Sequence, residues 1–472
     1  MEYTHRRDLL KQLMGGLAAA GIPFPAARSQ APVTKRVIVA GAGIGGLCCA
    51  YELMRRGHEV TVLEASGRPG GHILTVRDRL ADGLYADAGA EHFYRPGYDM
   101  LWQYLDEFQL PVLPYPRRDN MVRYLGGKPY TEAMLADRAV LKKFELNQKE
   151  IDYLAAHPWP EFSQLYYGPY LDSFPDEYRP LDAGLNHLDH LSVTAFLDKQ
   201  GASAAAIRFL GGEASALYSI WFCAIKKRRG MHQFERRVFR IKGGNQSLTD
   251  TFARKLGDRL HMAAPVTAIQ HGDSGVTVYY SESGRTKTMD ADYLVSCLPM
   301  VALRTIPVTP DWPESRAYIV RNLPYDSYGR AILQSRTRFW EKDGVSPNLE
   351  FESAALSSVW RMADEVDTRR GLLIGTAPLG SAERALAAFR QYYTGPSEDI
   401  EQSLAVDWTH DALAPCCLPV AYAPGELSKF WPEVIQPCGR IHFAGVYADN
   451  LTFGMEAAVR SANRVAETIH RA

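Results

Sequence analysis

The chain has 472 residues, more than one hydrophobic core usually serves, so two or three lobes are expected at roughly 150 residues each. Its 46% hydrophobic and 23% charged residues are those of an ordinary globular protein, which excludes a disordered or membrane-embedded chain. Lys plus Arg number 53 against Asp plus Glu 54, so no overall field favours nucleic acid or anionic membrane, and a small-molecule partner is expected.

The first 31 residues have the three parts of a twin-arginine export signal: the pair Arg6-Arg7, a short apolar stretch from Leu13 to Phe24, and small residues ending at Ala31. The apolar stretch is too short to span a bilayer. Such export carries folded proteins, which suits an enzyme that takes up its cofactor before crossing. The expectation is a periplasmic or secreted protein that meets the twin-arginine machinery; a frayed amphipathic helix is the plainer alternative.

From Lys35 to Ala40 the chain reads as an apolar strand, followed directly by Gly41-Ala42-Gly43-Ile44-Gly45-Gly46, a helix from Leu47 to Arg56, and a second strand, Val60 to Leu63, ending on Glu64. This is a complete β-α-β unit with a dinucleotide fingerprint. Gly41 makes the tight turn, Gly43 removes a side chain where a pyrophosphate must approach, and Gly46 lets helix and strand pack closely. Backbone N–H groups at the helix start, from Ile44 and Gly45, face the anion, and Glu64 can accept hydrogen bonds from a ribose diol.

Further along, Leu101 to Gln109 has helical period, and helices are expected at Ser192 to Gln200 and Ser203 to Phe209 within an aromatic-rich stretch. A glycine turn at Gly243-Gly244 leads into a helix from Thr249 to Leu256. Val266 to Gln270, Val276 to Tyr280 and Tyr293 to Ser296 read as strands of one small sheet. Arg440 to Ala444 reads as a buried strand running into a terminal helix, Met455 to His470. Its N-terminus, at Gly454 and Met455, would point positive dipole at a bound cofactor. The seven cysteines, Cys48, Cys49, Cys223, Cys297, Cys416, Cys417 and Cys438, lack the spacing of a zinc site, so no metal is expected.

The segment after Glu64, Ala65-Ser66-Gly67-Arg68-Pro69-Gly70-Gly71-His72, resembles the E-A-x-x-R-x-G-G-R extension of the flavin-containing amine oxidase superfamily. The resemblance continues at Gly243-Gly244-x-x-Ser247-Leu248, Val266, Ser296-Cys297-Leu298-Pro299, Phe339-Trp340, Trp408-x-x-Asp411, Pro424-Gly425, Phe443-Ala444-Gly445 and Met455-Glu456-x-Ala458. It implies FAD and an α/β fold: a discontinuous Rossmann-type FAD-binding domain from residues 33–115, 235–300 and 432–472, with an α+β substrate-binding domain from 116–234 and 301–431. It also implies FAD contacts at Ala65, Arg68, Gly70, Gly71 and His72, at the backbone of Val266, and around Gly445.

Several positions that carry amine oxidation in the superfamily are changed. Counting nine residues back from Phe339 puts Arg330 where the superfamily has a lysine; Arg330 either clamps a substrate carboxylate or is an ordinary strand-end arginine. Register from Gly425 puts Cys417 on a flavin-linked cysteine and Leu418 on one wall of an aromatic cage. Gly454 falls on the other wall, with Phe453 adjacent. Val446 replaces an acid, and Asp449 is expected to take over its ribityl contact. Glu91 begins a substrate wall, and His92 falls near a carboxylate-binding arginine. Tyr218 and Trp221 either line the pocket or belong to the core.

The resemblance therefore implies hydride transfer from the C–N carbon of a small amine or L-amino acid to flavin N5, imine hydrolysis, and reoxidation by O2 or a redox carrier; a homodimer is a further partner expectation. The alternative is a flavin-dependent desaturase of an apolar, carotenoid-like substrate.

Overall fold

In the computed structural model, which describes residues 33–472 apart from 394, 414, 416, 417, 420 and 452, the apolar strand Arg36–Ala40 is central to a five-stranded parallel sheet. The order across that sheet is Leu260–His261, Glu59–Leu63, Arg36–Ala40, Tyr293–Ser296 and Ile441–Phe443. Its strands come from the beginning, middle and end of the described chain. The export signal and Cys417 lie outside the described residues.

Strand Arg36–Ala40 runs into helix Ile44–Arg55, whose first ten residues are buried. Helix Gly454–Arg471 packs on it, presenting Ala458, Val459, Ala462 and Val465 to the same core. Glu456, in the first turn of that last helix, reaches sideways. Its carboxylate accepts from the N–H groups of Met100 (3.2 Å) and Leu101 (2.8 Å), capping helix Asp99–Glu107.

The expected small sheet is present with one exchange of strands. Val266–His271, Val276–Glu282 and Arg285–Ala291 form an antiparallel meander, while Tyr293–Ser296 leaves it to lie beside Arg36–Ala40. The physical reason is polarity: Arg285–Ala291 is mostly exposed and carries too little apolar alternation to read as a strand, whereas Tyr293–Ser296 is buried throughout.

A third, seven-stranded sheet contains Gly329–Ser335, hydrogen-bonded on both sides by Gly371–Ala377 and Ile400–Asp407 and buried along its whole length. The short strands Val122–Leu125 and Lys128–Thr131 close its far edge. Helices, among them Val193–Lys199, Ala204–Leu210 and Ala216–Arg228, occupy the aromatic-rich stretch. Residues Lys35–Ala472 form one compact unit.

Candidate active site

The glycine turn after the first strand is tight because three backbones meet there. Gly41 has φ +98°, a left-handed conformation that costs a side chain about 1–2 kcal/mol. A Cβ on Gly46 would overlap the Gly41 carbonyl oxygen, and one on Gly45 would come to 3.3 Å from Gly445 Cα. At Gly43 a Cβ would meet nothing within 4 Å, since it would project into a cavity of about 380 Å³. Gly46 thus serves the packing of the turn, and Gly43 keeps the cavity open.

Glu64 fixes the far side of this turn. One carboxylate oxygen accepts from Ala42 N–H at 2.6 Å and the other from Ser66 N–H at 2.8 Å. The second glycine turn lies against the first: Gly70 bridges Gly43, and Gly71, at φ +55°, would place a Cβ 3.2 Å from Gly43 Cα. Arg68 donates to the carbonyls of Gly71 (2.7 Å), Pro69 and Ile73 (both 3.3 Å), so its guanidinium holds this turn together and is not part of the cavity lining. Val266 is not in the lining either; Ala264, two residues earlier, donates to the Glu64 carbonyl at 2.7 Å.

Gly41, Gly43, Ile44, Gly45, Glu64, Ala65, Gly70, Gly71 and His72 line the cavity, as do Gly445, Gly454 and Met455. Arg330, Glu91, His92 and Phe453 line the same cavity. The buried strand Gly329–Ser335 carries Arg330, 5% exposed, whose guanidinium donates to Thr376 Oγ1 at 2.7 Å and lies 3.9 Å from Glu91. It lies over the Tyr328 ring at 4.9 Å.

Glu91 is 2% exposed and pairs with Arg117 and with His92 Nδ1 at 3.0 Å. Burial pushes its carboxyl up, but the guanidiniums of Arg117 and Arg330 outweigh burial and hold it at about 2. Burial and Arg117 hold the half-buried His92 at about 4, against the pull of Glu91. Its imidazole is therefore neutral at pH 7, and its Nε2 shares a hydrogen bond of 2.6 Å with Tyr94 Oη. Two guanidiniums face one carboxylate here, which leaves this end of the cavity net positive.

Three expected contacts are corrected. Asp449 is fully buried away from the cavity: it accepts from Tyr178 Oη (2.9 Å) and Leu451 N–H (3.0 Å), with Arg460 at 3.5 Å and Arg229 at 3.8 Å. Its charge is engaged in this ion network, and it does not line the cavity where the ribityl contact was expected. Tyr218 and Trp221 are core. Tyr218 packs edge-on against Tyr422 at 5.2 Å, and Trp221 packs against Trp431 at 4.9 Å while donating to the Glu177 carbonyl. Leu418 pairs through its backbone with Asp326.

Besides Phe453, the aromatic lining comes from Tyr94, Tyr98, Tyr325, Tyr328, Trp408 and Tyr447. Trp408 donates to the Ala88 carbonyl at 2.8 Å and meets His72 edge-on at 4.7 Å. It stands in the Trp408-x-x-Asp411 landmark, a signal that could have assigned it to the site. Arg117, stacked 3.8 Å over Trp360, had no local signal.

The donor set fits a dinucleotide. Two glycine turns leave room without side chains, a helix start presents N–H groups, and Glu64 is fixed beside them. A family model described as flavin-containing amine oxidoreductase matches residues 44–470. An L-amino-acid oxidase of Notechis scutatus scutatus is 27% identical over 93% of the chain and 87% of its own length, and one of Daboia russelii is 25% identical over 93% and 89%. Among solved structures, a putrescine oxidase bound to putrescine superposes with TM-score 0.77 at 21% identity, covering 93% of this chain and all of that one. The cyclohexylamine oxidase of Brevibacterium oxydans IH-35A does so with TM-score 0.76 at 22% identity, over 93% and 99%.

Proposed function

We propose, from the premise that this chain belongs to the flavin-containing amine oxidoreductase family, that it oxidises the C–N bond of an L-amino acid held by its carboxylate. The observation that carries this reading is Arg330, a buried guanidinium in the cavity beside an already paired Glu91. A planar fork binds a carboxylate through two parallel hydrogen bonds, which a lysine cannot do.

FAD, when bound, supplies the hydride acceptor for the C–H bond next to nitrogen. Gly43 and the N–H groups of Ile44 and Gly45 would hold its pyrophosphate, and Glu64 its ribose. The start of helix Gly454–Arg471 would bring positive dipole to the flavin end, favouring negative charge there. Arg330 orients the substrate, and the rings of Tyr325, Tyr328 and Trp408 exclude water around it. With its pKa held at about 4, His92 is too weak a base to take the proton of an ammonium group, so the amine enters neutral after giving that proton to solvent.

The imine product hydrolyses in water, and O2 or a redox carrier takes the electrons. The cofactor lobe is assigned to residues 33–115, 235–300 and 432–472 in a Rossmann-type arrangement, with 116–234 and 301–431 enclosing substrate. Residues 1–31 are assigned to twin-arginine export, which places the reaction in the periplasm or outside the cell.

The test is anaerobic stopped-flow bleaching of the yellow holoprotein by L-amino acids, by primary and secondary amines, and by polyenes. Bleaching by an L-amino acid with reoxidation in air is expected. Bleaching by amines that lack a carboxylate, with no amino acid active, removes the role given to Arg330; bleaching by polyenes alone makes the protein a desaturase.

A further inference from the structure

A second cavity of about 220 Å³ adjoins the first, and Tyr94 and Phe453 line both. Arg118 and Lys226 line it as well, and Phe222, 5.3 Å from Phe453, adds an apolar side to its lining. Arg118 donates to the Glu235 carbonyl at 2.6 Å and to Tyr94 Oη at 2.9 Å, the oxygen that His92 Nε2 approaches from the other side. One hydroxyl thus separates the guanidinium of Arg118 from the imidazole of the active cavity. Lys226 donates to the Gln233 carbonyl at 2.7 Å. Each cation spends only part of its donor set in this way, out of five N–H groups on an arginine and three on a lysine.

The acid nearby does not neutralise them. Glu235 turns its carboxylate to Arg237, at 3.0 Å from Nε and 2.9 Å from the backbone N–H. Burial, helped by the charge of Arg118, pulls the Lys226 ammonium down to about 8 against the opposing pull of Cys223, Glu161 and Glu235. Arg118 and Lys226 share this small space with Glu235 turned to Arg237 and only the weaker pull of Glu161 beside them, so an incoming carboxylate is stabilised by both cations and holds Lys226 in its charged form.

We propose that this second cavity receives the side-chain carboxylate of a dicarboxylic L-amino acid, whose α-carboxylate is held at Arg330. The methylene chain between the two acids would pass Phe453 and Tyr94. This assignment rests on the amino-acid oxidase reading above and narrows it to acidic substrates.

The experiment compares kcat/KM of the holoenzyme for L-aspartate, L-glutamate and L-2-aminoadipate with the values for L-asparagine, L-glutamine and L-norleucine. It adds inhibition by glutarate and by butyrate. At least one acidic substrate is expected to exceed its neutral counterpart by about 10-fold or more, and glutarate to inhibit more strongly than butyrate. In Lys226→Met the acidic-to-neutral ratio is expected to fall about 10-fold through KM, and raising the pH through 8 to lower it in the wild type. Arg118→Gln also removes the contact to Tyr94, so Lys226→Met, checked by flavin absorbance and Tm, is the decisive variant. Oxidation of neutral amino acids with the acidic ones rejected, or a ratio unmoved in Lys226→Met, overturns this inference and leaves the oxidase reading standing. Failure of every amino acid to reduce the flavin overturns both.

Discussion

At the scale of single residues, the active cavity is an electrostatic balance set by Arg117, Arg330 and Glu91. Arg330→Gln keeps some hydrogen bonding but removes charge and fork. It is expected to raise KM for L-amino acids about 10- to 100-fold, as read by oxygen uptake, the usual size of a lost charge-assisted bond. His92 gives a prediction with a definite sign. Its folded pKa, about 4, is below the ordinary 6.5, so the folded state resists the proton that the unfolded chain accepts. Stability is lost as pH falls from about 6.5 towards 4, and Glu91, held at about 2, adds a further loss from about 4.5 downwards. His92→Gln should lessen the first part of that fall in Tm, of which buried His442, also held at about 4, keeps a share, and leave the second. Arg330 was reachable from sequence because it stands at a fixed interval from Phe339 on one strand. Arg117 was not, since its contacts to Glu91 and Trp360 cross from one segment to others with no repeating interval.

At the scale of elements, the two inner glycines of the first turn separate cofactor binding from folding. Gly43→Ala adds a methyl group where nothing lies within 4 Å, so Tm of the apoprotein should hold while the ratio of flavin to protein absorbance drops. Gly46→Ala drives a methyl group into the Gly41 carbonyl, so Tm itself should fall. Asp87, 1% exposed, accepts from Thr75 Oγ1 (2.6 Å) and Asn245 N–H (2.9 Å), and burial pushes its carboxyl up to about 6. Folding therefore favours the protonated form: its contribution is complete below about pH 4 and is lost as pH rises through 6, a change of about 3 kcal/mol. Chemical denaturation of Asp87→Asn between pH 4.5 and 7 should show that slope removed. The β-α-β unit and the terminal helix were legible because their signals are local. The facing of helix Ala216–Arg228 was not: Ala216, Leu217, Tyr218, Ile220 and Trp221 are all buried, so no stripe tells core from cavity.

At the scale of the whole molecule, Asp449 ties the chain's distant parts together. Its partners Tyr178 and Arg229 come from the helical stretch, and Arg460 from the last helix. Asp449→Asn removes one of two anions shared by Arg229 and Arg460, which keep Glu177 at 3.1 and 2.9 Å, and should cost about 1–3 kcal/mol, measured by chemical denaturation of the holoprotein. This network was hidden from the sequence because an aspartate near the Phe-Ala-Gly landmark reads as a cofactor ligand, and only the fold brings Tyr178 and Arg229 to it.

The parallel sheet also sets a timetable. Its first strand leaves the ribosome early, but its neighbour Tyr293–Ser296 lacks one hydrogen-bonded edge until Ile441–Phe443 is synthesised. At roughly 5–20 residues per second the nascent glycine turn waits tens of seconds for Gly445 and the last helix that complete its cradle. Flavin capture is therefore expected only once the last strand and helix are made: a ribosome stalled before residue 440 should carry a nascent chain that leaves free flavin fluorescence unquenched.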